Sequence, residues 1–135
     1  MATFVLTDAV VTINAVNLSA WCTSLTLSVE VDDQENTAMG SGFRSRLGGL
    51  KEWSIDVDLN ADFGASAVDE TVYPLLGQTV PVTIKATSAP TSPTNPIYSG
   101  TALISEYTPI DGGVGDLATT SVSWPGSGVL TRATA

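Results

Sequence analysis

Two stretches of strict two-residue alternation, separated by a long polar segment, most constrain the fold of this chain. The apolar members of the alternation are Leu25, Leu27, Val29 and Val31 before the segment, and Trp53, Ile55, Val57 and Leu59 after it. Successive side chains of a β-strand point to opposite faces, so the pattern predicts two long strands, each apolar on one face and polar on the other. The segment between them, residues 32–50, is predicted to be a long inter-strand loop.

The size and hydropathy of the chain fit one folded domain that needs no disulfide. With 135 residues, 43% of them hydrophobic, and a mean hydropathy of +0.22, residues 1–135 are expected to form a single domain. No apolar run approaches the roughly 20 residues that span a bilayer, so no membrane association is expected. The first residues lack a basic stretch followed by an apolar one, and we therefore expect no secretion signal.

The net charge argues against tight binding to nucleic acid. The chain carries 14 acidic and 5 basic residues, a formal net charge of −9 at pH 7. Proteins that bind DNA place lysine and arginine against its phosphates, and here the sign is opposite. Any contact with DNA is therefore expected to be repulsive or indifferent, a property that suits a channel.

Side chains that support catalysis are scarce. The sequence contains no histidine, and its only cysteine, Cys22, is expected to be a buried and inert thiol. It also lacks a G-x-S-x-G turn, a phosphate-binding loop and a dinucleotide fingerprint. We predict that the chain is not an enzyme and uses no cofactor.

Two groups of carboxylates remain as alternatives to that prediction. Asp56 and Asp58 share one strand face, whereas the two carboxyls of a glycosidase face each other across a cleft. Calcium prefers flexible loops rich in oxygen ligands, and two stretches supply carboxylates of this kind: residues 32–35 and 111–116. Neither stretch matches the spaced Asp/Asn pattern of a calcium loop. The sequence therefore favours no catalytic residue and no metal site.

The rest of the sequence predicts an all-β fold with one short α-helix. Besides long strands at 21–31 and 51–60, strands are predicted at 4–6, 10–16, 80–86, 97–107, 117–124 and 129–132. Within 66–77 the apolar residues recur at helical spacing, with Ser66 near the N-cap, Gly77 as the C-terminal cap and Pro74 keeping the helix short. The architecture is either a β-sandwich or a small barrel.

Most of the positive charge of the chain lies in the predicted loop 32–50 or directly after it. Arg44, Arg46 and Lys51 are three of the five basic residues, and they lie close to Phe43 and Leu47. One interpretation is that this patch meets the acidic surface of another copy, since a head-to-tail contact of that kind makes rings or filaments. The alternative is a surface loop whose cations pair with its own acids, Asp32, Asp33 and Glu35.

Several motifs, taken in order, resemble the major tail tube proteins of long-tailed, siphovirus-like bacteriophages. The motifs are WCTSLTLSVE at 21–30, ENTAMG at 35–40, RLGGLKEWSI at 46–55, LLG at 75–77, YSGTA at 98–102, TTSVSW at 119–124 and GSG at 126–128. The resemblance covers most of residues 10–130, and its specificity lies in the order of the motifs. Pro74 and the proline-rich loop 87–96 depart from the pattern.

The resemblance implies a β-sandwich with a flanking helix, and a structural role in the virion. Six subunits are expected to form a ring, and rings to stack into a tail tube whose acidic lumen conducts DNA during ejection without binding it. The implied partners are further copies of this chain and other tail proteins: the tail tip, the tape measure and the terminator. Assembly is expected in the host cytoplasm, and the finished protein in the virion tail. The alternative is another virion module of similar fold, such as a tail-tip or head decoration protein.

Residue roles follow from the resemblance together with the strand pattern. The expected lumen-lining acids are Asp56, Asp58 and Glu30. The expected ring-stacking loop contains Asp32, Asp33, Glu35, Phe43, Arg44, Arg46, Leu47 and Lys51. The expected core residues are Leu25, Leu27, Trp53, Ile55, Val68 and Leu76. Residues 1–9 are expected to form an N-terminal arm, and residues 126–135 a C-terminal tail.

Overall fold

Strands dominate the chain, joined by one short helix. The computed structural model describes residues 3–134. The strands in this range are β1 (Val10–Ile13), β2 (Val16–Asn17), β3 (Cys22–Glu35), β4 (Arg46–Asn60), β5 (Thr79–Lys85), β6 (Ile97–Leu103) and β7 (Thr119–Ala133). Helix α1 (Val68–Val72) follows β4, and 3₁₀ turns occur at Ser19–Trp21 and Tyr73–Leu75. The predicted fold class, all-β with one short helix, is confirmed.

Strand β7 joins the two layers of the molecule. The hydrogen-bonded order is β2-β1-β5-β6-β7-β4-β3, and every neighbouring pair is antiparallel. Residues 119–125 of β7 pair with β4, whereas residues 126–133 run along β6, so the strand changes partner at Pro125 and Gly126. Proline has no N–H to donate to a ladder and is tolerated where regular pairing is interrupted. One layer therefore contains β3, β4 and the first half of β7, and the other contains the remaining strands.

The hydrophobic core lies between these two layers. Ile55, Val57 and Val122 from the first layer belong to the same buried cluster as Val82 and Ile84 from the second. Fully burying an aliphatic side chain contributes roughly 1.5–3 kcal/mol. The shared core therefore holds the two layers face to face.

Trp53 fixes the point at which the layers meet. Its indole lies against the backbone of β6 and β7: a Cβ added at Gly100 would stand 2.8 Å from its Cζ2, and one added at Gly126 would be closer still. The indole N–H donates to the carbonyl of Gly128 at 3.1 Å. Only glycine leaves room for the indole at these two strand positions, so the glycines and Trp53 form one packing unit.

The predicted core residues fall into three groups. Trp53, Ile55 and Val68 are buried. Leu25 and Leu27 are half-buried and pack against the edge of the core. Leu76 is 38% exposed, so its assignment to the core is wrong.

The helical segment explains the position of Leu76. Helix α1 ends at Val72 and continues into the 3₁₀ turn Tyr73–Leu75, so α-helical spacing no longer applies beyond this point. Leu75 packs against the core instead. The predicted N-cap is also wrong, because the helix begins after Ala67 and Ser66 makes no side-chain capping bond.

The predicted loop 32–50 is the outer part of a β-hairpin, and residues 32–35 and 46–50 belong to its two strands. Strands β3 and β4 stay paired beyond Val31 and Lys51, with Asp33 opposite Gly48 and Glu35 opposite Arg46. A register shift separates this outer part of the ladder from the inner part. The connecting loop is therefore residues 36–45 alone, and the hairpin extends well past the core.

The two chain ends also differ from prediction. Residues 126–133, expected in a tail, form the second half of β7, and the predicted strand 129–132 is part of it. Residues 4–6 form no strand, and Phe4, Val5 and Leu6 are exposed. Asp8 attaches the arm to the proline-rich loop by accepting hydrogen bonds from the Ser88 hydroxyl, at 2.7 Å, and from its N–H. Residues 1, 2 and 135 of the expected arm and tail lie outside the described residues.

Candidate assembly surfaces

The polar face of β3, β4 and β7 is acidic. Asp56 lies between Thr26 and Ser123 in the ladder, and Asp58 lies between Ser24 and Ser121. Asp56 is exposed and Asp58 is half-buried. The neighbours of both acids on this face are serine and threonine, which neutralise no charge. The face therefore presents carboxylates to solvent without a basic side chain between them.

The acidic face continues towards the hairpin through a pair of glutamates. Glu30 and Glu52 stand directly opposite each other on β3 and β4, and both are exposed. Like charges directly opposite in a sheet repel and weaken the pairing. The lumen residues predicted from the sequence do not include Glu52, although its spacing from Ser54 and Asp56 places all three on one face of β4. The face thus brings together the three predicted acids and a fourth, Glu52.

The predicted ring-stacking residues all lie on the hairpin. Arg46 forms a salt bridge with Asp33 at 3.0 Å, and Arg44 approaches Glu35 at 3.7 Å. Both pairs are exposed, and such pairs contribute about 0–1 kcal/mol. Within the single chain, Arg44 and Arg46 thus each lie beside an acid of their own hairpin. Phe43, Leu47 and Lys51 are exposed, and Asp32 lies next to Gly49 at the register shift of the ladder.

The loop at the end of the hairpin, residues 36–45, is held by its own polar groups. The Ser45 N–H donates to the Thr37 hydroxyl at 2.8 Å, and the Ser45 hydroxyl donates to the Asn36 side-chain carbonyl at 2.7 Å. The Ser41 hydroxyl donates to the carbonyl of Phe43 at 2.6 Å. These bonds order the loop although no core lies beneath it. Its large apolar side chains, Met39 and Phe43, are 103% and 89% exposed.

Several strand edges in the described part of the chain have no partner. Strand β3 is the last strand of the sheet, so its outer edge is unpaired from Cys22 to Glu35. Residues 46–53 of β4 also lack a partner on the side of β7, because the second half of β7 turns away from β4 and pairs with β6. Between them lies a cleft of about 590 Å³, lined by Val29, Lys51, Glu52, Trp53, Gly128, Val129 and Leu130. Unpaired edges of this length are a template for pairing with another chain.

A shallow groove lies on the apolar side of β3. It has a volume of about 300 Å³ and is bounded by Leu25 and Leu27 on one side and by Ile84 and Tyr98 on the other. Leu6 of the N-terminal arm also lines it. The groove explains why Leu25 and Leu27 are only half-buried: β3 is an edge strand, and no further strand covers their outer side.

Outside the acidic face, Asp62 and Tyr107 have shifted pKa values. Hydrogen bonds from the Gly64 N–H, and then from the Trp21 indole at 2.8 Å, lower the pKa of Asp62. Burial, assisted by a 2.9 Å hydrogen bond to the Asp69 carboxylate, raises the pKa of Tyr107 well above its usual range. These contacts tie β4 and α1 to the neighbouring segments, a structural role.

Neither a metal cluster nor a membrane-spanning helix occurs in the described range. Residues 3–134 contain no group of three potential metal ligands, so the carboxylates of 32–35 and 111–116 are not gathered into such a site. No helix in the same range has the length and apolar character needed to cross a bilayer.

Comparison with known proteins relates the chain to tail structures through its fold. No family model and no curated protein sequence matches it. A chain in the virion of a native gene transfer agent (GTA) particle matches with a TM-score of 0.75 at 16% identity, over 93% of this chain and 95% of that chain. A chain in the tail of an empty GTA particle, solved with C6 symmetry, matches with a TM-score of 0.66 at 20% identity, over 85% and 83%. The resemblance to tail proteins found in the sequence is therefore confirmed for the fold.

Proposed function

We propose that this chain is a structural virion protein whose copies form stacked six-membered rings, and that the stack is a tail tube with an acidic lumen for DNA. The observation that carries the proposal is the shared fold, over most of both chains, with proteins of the GTA particle, one of them in a tail with C6 symmetry. On this proposal the protein contacts other copies of itself and further tail proteins, is assembled in the host cytoplasm and has no enzymatic activity.

The unpaired strand edges support closure of a ring. The outer edge of β3 offers a full row of backbone donors and acceptors, and the cleft between β4 and β7 offers two shorter free edges. If the β3 edge of one subunit pairs with the cleft edges of the next, the contact joins two different surfaces and is heterologous. Such contacts form a closed ring when the rotation from one subunit to the next divides a full turn evenly. Ring closure would remove edges that otherwise favour aggregation.

The acidic face supports the role of a conduit. If Asp56, Asp58, Glu30 and Glu52 face the lumen, the wall repels the phosphates of DNA. A wall of lysine or arginine would release counterions from DNA and hold it, which would slow its passage. A face with four acids interspersed with serine and threonine therefore suits passage without binding.

Electron microscopy of the purified protein at high concentration tests the assembly. Negative staining should show hollow tubes or stacked rings with six-fold end views. Dispersed monomers or trimers under all conditions, including in the presence of tail-tip proteins that nucleate tubes, would contradict the proposal. That outcome would favour a decoration or tail-tip module of the same fold.

A charge reversal tests the lumen separately. Tubes of the Asp56→Lys variant should retain short duplex DNA in a pelleting assay at low salt, whereas wild-type tubes should release it. Glu70→Lys makes the same change in charge at an exposed residue of α1, outside the acidic face, and is the matched control. Equal retention by both variants would show that Asp56 does not line the path of DNA, even if tubes form.

A further inference from the structure

The charges of this chain are divided unequally along its strands. The level at which Trp53 packs on Gly126 divides the strands into two portions. We call the side with residues 29–53 the hairpin end, and the side with residues 54–70 and 103–125 the far end. Strand β4 alone spans about 46 Å between them, at 3.3 Å per residue.

All the basic residues lie at the hairpin end. Strand pairing places Lys85 and Arg132 on that side together with the three cations of the hairpin, and six acids accompany these five bases. The far end has the other eight acids and no base: Asp56, Asp58, Asp62, Asp69, Glu70, Glu106, Asp111 and Asp116. The formal charge is therefore −1 at one end and −8 at the other. Two far ends would repel each other strongly, whereas only a hairpin end supplies bases that can pair with the acids of a far end.

The two ends also present matching apolar side chains. Loop 36–45 has one base, Arg44, no acid, and the exposed Met39 and Phe43. Loop 110–117 at the far end has two acids and three exposed apolar residues: Ile110 at 82%, Val114 at 108% and Leu117 at 72%. Exposed apolar clusters of this kind mark surfaces that another protein covers.

Both loops are ordered before any contact forms. The hydrogen bonds of Ser45 and Ser41 hold loop 36–45. In loop 110–117 the Gly113 N–H donates to the Asp116 carboxylate at 3.2 Å, and the Asp116 N–H donates to the Gly113 carbonyl at 3.1 Å. Ordered loops lose less conformational entropy on docking than mobile ones.

We propose that loop 36–45 of one copy docks on loop 110–117 of the next copy along the stack. In this contact Met39 and Phe43 pack among Ile110, Val114 and Leu117, and Arg44 exchanges its exposed partner Glu35 for Asp111. The inference rests on the proposed tube and names the acceptor surface within it. Because the donor and acceptor loops lie at opposite ends of the chain, the contact is heterologous and propagates without limit.

Complementary variants test the pairing of the two loops. The donor variant Met39→Ser/Phe43→Ser keeps loop 110–117 intact, and the acceptor variant Asp111→Lys/Val114→Ser keeps loop 36–45 intact. Alone, each should stop at single rings, with stacking affinity reduced by roughly thirtyfold or more. Mixed in equal amounts, they should form ring pairs and nothing longer, because each pair contains one functional contact. Sedimentation velocity and negative staining measure both results, and circular dichroism checks that the variants are folded.

Matched controls separate this contact from a general loss of apolar surface. Leu50→Ser removes an exposed leucine of the hairpin outside its end loop, and Phe63→Ser removes an exposed phenylalanine of the far end outside loop 110–117. Both should stack as the wild type does. Long tubes from the acceptor variant alone would overturn the inference and leave the tube proposal standing. Blocked variants that fail to pair when mixed would also overturn it, because the loops would then bind other partners. Absence of rings and tubes from the wild type, with tail-tip proteins present as well, would instead contradict the tube proposal itself.

Discussion

Gly126→Ala should destabilise the isolated subunit strongly, although it adds a single methyl group. The new Cβ would overlap the indole of Trp53, which is 4% exposed and has the backbone of β6 on its other side. Either the backbone of β7 moves, at about 1–3 kcal/mol for overpacking, or Trp53 leaves its site. If Trp53 leaves its site, the protein loses a large part of the burial energy that a Trp→Ala change removes, about 3–5 kcal/mol. It also loses the hydrogen bond to Gly128, which contributes about 1 kcal/mol. We therefore expect a loss of about 1–3 kcal/mol, since movement of the β7 backbone is the cheaper route.

Urea denaturation followed by far-ultraviolet circular dichroism, at a concentration too low for assembly, measures this loss. Gly42→Ala is the matched control, because a Cβ at Gly42 meets no atom within 4 Å. It should change the free energy of unfolding by less than about 0.5 kcal/mol. In a Trp53→Leu background, Gly126→Ala should cost much less than in the wild type, since the overlap is then relieved. An equal cost in both backgrounds would refute the packing explanation.

Two further predictions concern the pH dependence of stability. Tyr107 has a raised pKa, so the folded state keeps a proton that the unfolded chain loses above about pH 10, and stability should fall as pH rises beyond that value. Tyr107→Phe should lower the free energy of unfolding by about 1 kcal/mol at neutral pH and make its decrease at high pH smaller. Urea midpoints measured as a function of pH test this, and a variant with the same slope as the wild type would contradict it. Asp62 has a lowered pKa, so stability should fall as pH drops through about 5 to 3, and Asp62→Asn should weaken that dependence. If Asp62→Asn loses stability at low pH as steeply as the wild type, the hydrogen bonds from Gly64 and Trp21 do not make the proposed contribution.

The inner parts of β3 and β4 could be predicted because a buried face leaves a period of two in the sequence. Beyond Val31 both faces of the hairpin meet solvent, so apolar and polar residues no longer alternate and the extension reads as a loop. The same reasoning explains the error at the C-terminus. Pro125, Gly126 and Gly128 are typical of a break, but in the structure they are where β7 changes partner and where Trp53 needs space.

The candidate surfaces could be predicted in part for the same physical reason. Periodicity alone places Asp56 and Asp58 on the polar face, and it could have added Glu52. The charge division between the two ends could not be predicted, because it depends on which strands are neighbours. Lys85 and Arg132 are far from the hairpin in sequence, and strand pairing through β6 brings them to the same end. Such non-local pairings are not encoded in any single segment.

On the proposed stacking, folding and assembly depend on separate parts of this chain, and the hairpin is where they separate. No residue of its outer half belongs to the buried cluster, and its two salt bridges are exposed and therefore weak. Changes in loop 36–45 should consequently leave the unfolding free energy of the subunit almost unchanged and act on stacking. Changes at Trp53 or Gly126 should do the reverse at low concentration, because they affect the junction of the layers. A donor-loop variant that lost stability as much as Gly126→Ala would show that the hairpin supports the fold, and that its exposed apolar residues serve the subunit before they serve a neighbour.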